Sequence, residues 1–286
     1  MEGKIISSAG GVFTICAHGI TYNVFSKGIL RFQNKNLVVG DNVIFSEDDC
    51  VITDLIPRRN VLKRPKAANI DQIVIVMSAK EPLLSPYLLY KFLSYANSND
   101  IPAVVIFTKL DLMDDHAKDL NDLKCELSYA HIKVFSHMSG GEISSELVGI
   151  FKNKVSLLMG QTGVGKSSLI NFLDSSFMRR IGSYSVALGR GKHQTKEVIL
   201  LPFENGFIGD TPGFSSLELD ICKEDLAKCF PGFENSNKCF YSNCLHTGEK
   251  QCRIKEEIDE RLISLHAYAI YLKILGELPF KKERCK

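Results

Sequence analysis

No run of eighteen apolar residues occurs in the sequence, so no segment is built to cross a membrane as a helix. The opening Met1-Glu2-Gly3-Lys4 lacks the pattern of a secretory leader, and a cytoplasmic protein is expected. There is no low-complexity tract and no internal repeat. An excess of charge of one sign is missing too: Lys+Arg 35 against Asp+Glu 33 leaves a formal net charge of +2. No whole-molecule basicity announces a nucleic-acid partner, so any such surface must be local. The 9 cysteines are odd in number and crowd toward the C-terminal end. In a reducing compartment this favours a metal site over a disulfide framework. What is present is ordinary for a soluble globular protein, with 45% hydrophobic and 24% charged residues in 286. That length accommodates two or three domains.

The most informative stretch is Gly160-Gln161-Thr162-Gly163-Val164-Gly165-Lys166-Ser167. It fits the P-loop pattern G-x-x-x-x-G-K-[ST] at every fixed position. The apolar run Val155–Met159 before it reads as a buried strand, and Ser168–Leu173 after it as the start of a helix. Glycines let the backbone wrap a phosphate with its N–H groups inward, and the helix adds its positive dipole end. A chance match arises in roughly one chain in a hundred of this length, and the strand–helix context lowers those odds. Lys166 is expected to reach the outer phosphates and Ser167 to ligate Mg²⁺, with Ser168 beside them.

The first sixty-odd residues read as all-β. Short apolar runs at Val12–Ala17, Ile20–Phe25, Gly28–Phe32, Val43–Phe45 and Cys50–Ile56 alternate with turn signals. Five short strands suggest a small closed barrel, an OB-fold. Phe13, Tyr22, Phe25, Phe32 and Phe45 are expected mostly in its core rather than stacked on bases. Arg58-Arg59 and Lys63-Arg64-Pro65-Lys66 read as a basic linker, either solvated or touching RNA. From Ala67 strands and helices alternate: Ile73–Met77, Ala103–Phe107 and Ile132–Phe135 as strands, with helical spacing at Leu88, Leu89, Phe92, Leu93, Ala96 and at Leu120, Leu123, Leu127, Ala130. Ser85-Pro86 reads as a helix start. Apolar strands between amphipathic helices imply a parallel sheet covered on both faces, with ligands at the carboxyl ends of its strands. The expected domains are an OB-fold over 1–64, an α/β domain carrying the P-loop over 65–217, and a mostly helical domain over 218–286.

Thr108-Lys109-Leu110-Asp111 follows one of these strands and resembles the guanine motif N-K-x-D, with Thr in place of Asn. A carboxylate at Asp111 accepts from both N1–H and the exocyclic amine of guanine, and adenine is repelled. The stem of Lys109 can lie over the base. Asp210-Thr211-Pro212-Gly213 follows the run Gly206–Gly209. In a P-loop protein such an Asp holds Mg²⁺ and the Gly213 N–H senses the γ-phosphate. Between them, Thr195 is a candidate second Mg²⁺ ligand on a Gly- and Ser-rich loop. The residue after D-x-x-G is Phe214, which cannot orient a water, so His193 on that same loop is the candidate for that role. Asp111 precedes Gly160, the reverse of ordinary GTPases, which implies a circular permutation.

Near the end, Cys239-x4-Cys244-x-His246-x5-Cys252 offers three thiolates and an imidazole, a set that fits one tetrahedral structural Zn²⁺. Cys229 is a possible decoy whose neighbours Leu226 and Phe230 suggest core packing. Ile254, Ile258, Leu262, Leu265 and Tyr268/Ala269 read as one amphipathic helix, and the tail Lys281–Lys286 is basic.

Nearly the whole chain resembles the small ribosomal subunit-dependent circularly permuted GTPase A family (RsgA, also called YjeQ). The resemblance rests on Ala68-Asn69-Ile70-Asp71-Gln72, Ser85-Pro86-Tyr87-Leu88-Leu89, the P-loop, Gly189-Arg190-Gly191-Lys192-His193, Asp210-Thr211-Pro212-Gly213-Phe214 and the Cys/His cluster. Thr108, Gln194 and Lys250 depart from the family pattern. The resemblance implies a GTP hydrolase that acts in late maturation of the small ribosomal subunit, binds its rRNA, and needs Mg²⁺ with GTP and one zinc. A monomer with no membrane partner is expected. The rivals are a P-loop ATPase or kinase, against which Asp111 argues, a pure binding module, against which Lys166, Ser167, Thr195 and Asp210 argue, and a permuted GTPase acting on the large subunit.

Overall fold

The structure, a computed structural model, describes residues 1–26, 36–112, 117–137, 144–176, 198–211 and 217–281. The chain divides into two units. One comprises Met1–Ile73, Glu142–Met159 and Lys166–Gly213; the other comprises Val74–Gly141, Gly160–Gly165 and Phe214–Lys286.

In the first unit, strands β1 (Glu2–Ala9), β2 (Val12–Ala17), β3 (Ile20–Ser26), β4 (Asn42–Ser46) and β5 (Val51–Leu55) close into a barrel in the order β1-β2-β3-β5-β4. β3 and β5 pair in parallel and the other neighbours antiparallel. This is the five-stranded OB-fold expected from the sequence. Two details differ. Strand β1 escapes the sequence pattern because its register shifts between Ile5 and Ser7. The bulge turns Ile5, Ile6 and Ser7 all inward and so erases the period-two alternation. The expected strand at Gly28–Phe32 lies outside the described residues. The core is also more aliphatic than expected: Ile5, Ile6, Ile15, Val24, Val43 and Ile52 are buried with Phe45. Phe13 and Tyr22 are only half-buried, and Phe25 is 56% exposed because it alternates with the inward Val24.

The basic stretch after the barrel is not a loose linker. Arg58 grips the fully buried Asp41 with two bonds, Nε–Oδ1 2.6 Å and Nη2–Oδ2 2.8 Å. Arg59 pairs with Asp71 at 2.8 Å. β6 (Val61–Lys63) and β7 (Lys66–Ala68) then form a small antiparallel hairpin.

Six further strands follow: β8 (Gln72–Ser78), β9 (Ala103–Thr108) and β10 (Lys133–Ser136) in the order β10-β9-β8, and β11 (Val155–Met159), β12 (Ile199–Phe203) and β13 (Gly206–Asp210) in the order β11-β13-β12. β9 with β10 and β11 with β13 are parallel, as expected. β12 is antiparallel to β13, against the expectation of a wholly parallel sheet. The cause is local: Glu204 and Asn205 both take positive φ, 47° and 58°, and make a two-residue hairpin turn.

In the second unit, the helix Pro86–Ser98 begins where Ser85 Oγ accepts the Leu88 N–H at 3.3 Å, and it buries Leu88, Leu89, Phe92, Leu93 and Ala96. The helix Ala117–Tyr129 buries Leu120, Leu123 and Leu127. Among the described residues, two helices follow the Cys/His loop, Arg253–Asp259 and Leu265–Glu277, not one. The break passes through Arg261 at φ 61°. It shifts the buried face to Ala267, Ile270, Tyr271, Ile274 and Leu275, and leaves Leu262 and Leu265 exposed.

Candidate functional site

The second unit holds the carboxyl end of β9 together with the glycine loop. Thr108 ends β9 and is buried. Its hydroxyl lies 2.6 Å from the Val164 carbonyl and 3.2 Å from the Met77 carbonyl. One O–H proton serves one acceptor at a time, and the shorter contact is the stronger. Thr108 thus ties the end of β9 to the glycine loop. Gly165 is close by; a Cβ there would stand 3.7 Å from Thr108 Oγ1. Gly160 has φ 152°, and a Cβ on it would collide with the Val76 carbonyl at 2.2 Å, so only glycine fits. Gln161 is half-buried, Thr162 and Gly163 are exposed, and Val164 anchors the loop in the core.

Lys109 takes φ 55° and its ammonium donates to the Glu81 carbonyl. Asp111 is exposed in the short turn Leu110–Leu112. His137, just beyond β10, was not singled out from the sequence. Burial holds its imidazole below the usual range, while the Asp111 charge acts the other way. The signal for it lies in chain position: it follows the strand beside β9, at the same sheet end.

The first unit holds Lys166 and Asp210. The helix Lys166–Leu173 starts with the P-loop lysine, which is buried. Burial lowers its ammonium, and Asp210 works against that. Asp210 ends β13. Burial pushes its carboxyl up to about 6, with the Lys166 charge and the Thr211 N–H pulling it down. Its Oδ1 is buried without a hydrogen-bond partner. A buried carboxylate oxygen with a spare acceptor position fits a hydrated Mg²⁺ held with nucleotide phosphates. Thr211 Oγ1 donates to the Leu158 carbonyl at 2.7 Å and pins the end of β13 to β11. Ser167 and Ser168 are exposed on the first helical turn. His193, Thr195 and Gly213 lie outside the described residues.

The C-terminal cluster is assembled within the second unit. The ligand atoms of Cys239, Cys244, His246 and Cys252 all lie within 4.8 Å of one another. Cys239 Sγ stands 3.6 Å from His246 Nδ1 and 3.9 Å from Cys252 Sγ, and His246 Nδ1 stands 3.3 Å from Cys252 Sγ. A tetrahedron with Zn–S of about 2.3 Å and Zn–N of about 2.0 Å has edges of roughly 3.5–3.8 Å, so the donor set fits a four-coordinate soft-metal ion. His246 turns Nδ1 toward the thiols because Nε2–H donates to the Ala227 carbonyl at 3.0 Å, the outer contact that fixes a ligating histidine. The last helix clasps the loop: Tyr268 and Tyr271 hydroxyls donate to the His246 and Leu245 carbonyls at 2.6 and 2.7 Å. Burial alone would raise the Glu249 carboxyl, but backbone N–H groups including those of Leu245, Thr247 and Gly248 hold it at about 2. Cys229 stays out of the cluster, its thiol directed to the Ser94 carbonyl and pushed up to about 12 by burial.

The strand end carrying Asp111 precedes the glycine loop in the chain, and a buried lysine and strand-end aspartate follow it. The class so defined is that of circularly permuted P-loop GTPases. The RsgA GTPase family model matches residues 55–220, more than half of the chain, and the chain belongs to that family of GTP hydrolases. It is 40% identical over 284 residues to Small ribosomal subunit biogenesis GTPase RsgA of Mycoplasmopsis pulmonis (strain UAB CTIP), covering 97% of this chain and 100% of that one. It is 39% identical over 262 residues to the protein of the same name from Malacoplasma penetrans (strain HF-2), covering 90% and 91%. Among solved structures it resembles YjeQ from Thermotoga maritima at TM-score 0.84 and 31% identity, with 97% of this chain and 98% of that one covered. It also resembles YloQ, a circularly permuted GTPase, at TM-score 0.80 and 29% identity, with 96% and 94% covered.

Proposed function

We propose that this chain assists late maturation of the small ribosomal subunit: it binds subunit rRNA, hydrolyses GTP when the subunit stimulates it, and dissociates. The observation that supports the catalytic half is the burial of Lys166 at the start of the P-loop helix together with Asp210 at the end of β13, where the charge of each acts on the other. The partner follows from the name its relatives bear, small ribosomal subunit biogenesis GTPase.

In this reading Asp111 accepts from guanine, with Thr108, Lys109 and Leu110 around the base. The N–H groups of Gly160–Ser168 and of Gly213 hold the phosphates, and Lys166 neutralises charge developing on them. Ser167, Thr195 and Asp210 would hold Mg²⁺, which when bound neutralises the β- and γ-oxygens. Cys239, Cys244, His246 and Cys252 would hold one structural zinc. His193 aligns the attacking water once the subunit has docked. The functional parts are residues 1–64 for RNA, 65–217 for GTP and 218–286 around the metal, in a cytoplasmic monomer.

The test is GTP turnover by the full chain alone and with isolated small or large subunits, with sedimentation in a non-hydrolysable GTP analogue. Stimulation and co-sedimentation specific to the small subunit are expected. Equal response to both subunits, or to neither, would overturn the proposal.

A further inference from the structure

The turn after β8 is fixed at both ends. Ser78 closes β8 and is buried. Its Oγ accepts the backbone N–H of Lys80 at 3.3 Å and of Glu81 at 2.9 Å. The turn's first amide, Ala79 N–H, donates to the Thr108 carbonyl at 3.0 Å. One serine oxygen therefore sets the course of the backbone that leads to the Glu81 carbonyl. That carbonyl takes the Lys109 ammonium. The same turn borders the glycine loop, where a Cβ on Gly163 would stand 3.9 Å from Pro82 Cδ.

We propose that Ser78 is a positioning residue for nucleotide recognition. It holds the 79–82 turn so that the Glu81 carbonyl anchors Lys109 and stretches its aliphatic stem across the place of the base. The inference rests on the proposed reading of Thr108–Asp111 as the base-binding strand end. A free lysine stem samples many rotamers, and freezing it on binding costs entropy. An anchor that fixes the stem beforehand lowers that cost. The stem touches the face of a base, and every base has a face. The anchor thus strengthens binding of any nucleotide, while preference for guanine belongs to Asp111.

The test measures the affinity of the full chain, with Mg²⁺, for GTP and for inorganic triphosphate, which has no base. Ser78→Ala should weaken GTP about 5- to 10-fold and leave triphosphate unchanged. Lys109→Met, which keeps the stem and removes the ammonium, should lose as much. The double variant should lose no more than either single one, because both break one chain of contacts. Ser78→Thr should restore binding. Losses that multiply in the double variant, or a parallel fall in triphosphate affinity, would overturn the assignment. Should Ser78→Ala fail to fold, Lys109→Met decides: unchanged GTP affinity in it removes the anchor. Asp111→Asn is measured alongside. If it leaves GTP affinity unchanged, the base-site reading itself falls. If it weakens GTP and Ser78→Ala does not, only the role of Ser78 falls.

Discussion

The Thr108 hydroxyl lies 2.6 Å from the Val164 carbonyl, across 56 residues of sequence. Where the related guanine motif carries asparagine, this chain uses a hydroxyl with a single proton to tie the base-side strand end to the phosphate-side loop. Thr108→Val keeps the shape and removes the donor. The buried carbonyl then loses its partner, at about 1–3 kcal/mol. Titration with a fluorescent guanine nucleotide should show roughly 5- to 150-fold weaker binding. Thr108→Ser should stay near the parent. Parent-like affinity in the valine variant would show that the loop holds itself.

Asp210 gives a pH prediction of definite sign. Its folded value of about 6 lies above the ordinary 3.8. The folded protein keeps a proton that the unfolded chain has released between those values. This group's contribution is therefore fully present below about pH 4 and is lost as pH rises through 6, by on the order of 3 kcal/mol. Asp210→Asn removes that loss. Denaturation without nucleotide or Mg²⁺ should find the variant more stable at pH 7.5, with the gap closing toward pH 4. Its Mg²⁺-dependent GTP hydrolysis should be lost. A stability gap independent of pH would mean that the carboxyl is well solvated.

Elemental analysis should find one zinc per chain, unchanged in Cys229→Ser and absent in Cys244→Ala. Loss of the metal frees the loop that Tyr268 and Tyr271 clasp. The melting temperature of the C-terminal part should then fall by roughly 10 °C or more. GTP binding should persist, since none of its candidate residues belongs to the cluster. Metal-free protein of normal stability would sink the assignment.

Phe214 stands where many GTPases place a water-orienting glutamine, so turnover by the protein alone should be slow. With small subunits added, His193→Ala should lose about 100-fold or more of the stimulated rate, the ordinary scale for a general base. Its GTP affinity and subunit binding should hold. A variant stimulated as strongly as the parent assigns the group to the ribosome.

What the sequence by itself determined is chemistry that neighbours in the chain can make together. The glycines, Lys166 and Ser167 build one loop from eight successive residues, Ser85 caps the helix that begins beside it, and four ligands share fourteen positions from Cys239 to Cys252. Spacing is enough there, because local backbone geometry carries each side chain to its place. Only the tertiary structure decided what depends on remote partners or on burial. The Thr108 brace, the Ala227 carbonyl behind His246 and the Ser78 turn beside Lys109 each join segments that no local pattern relates, and the burial of Asp210 is likewise a matter of packing. The bulge in β1 and the break before Leu265 mislead the pattern for the same reason. A one-residue shift reverses which face is buried, and packing against the rest of the fold chooses that face.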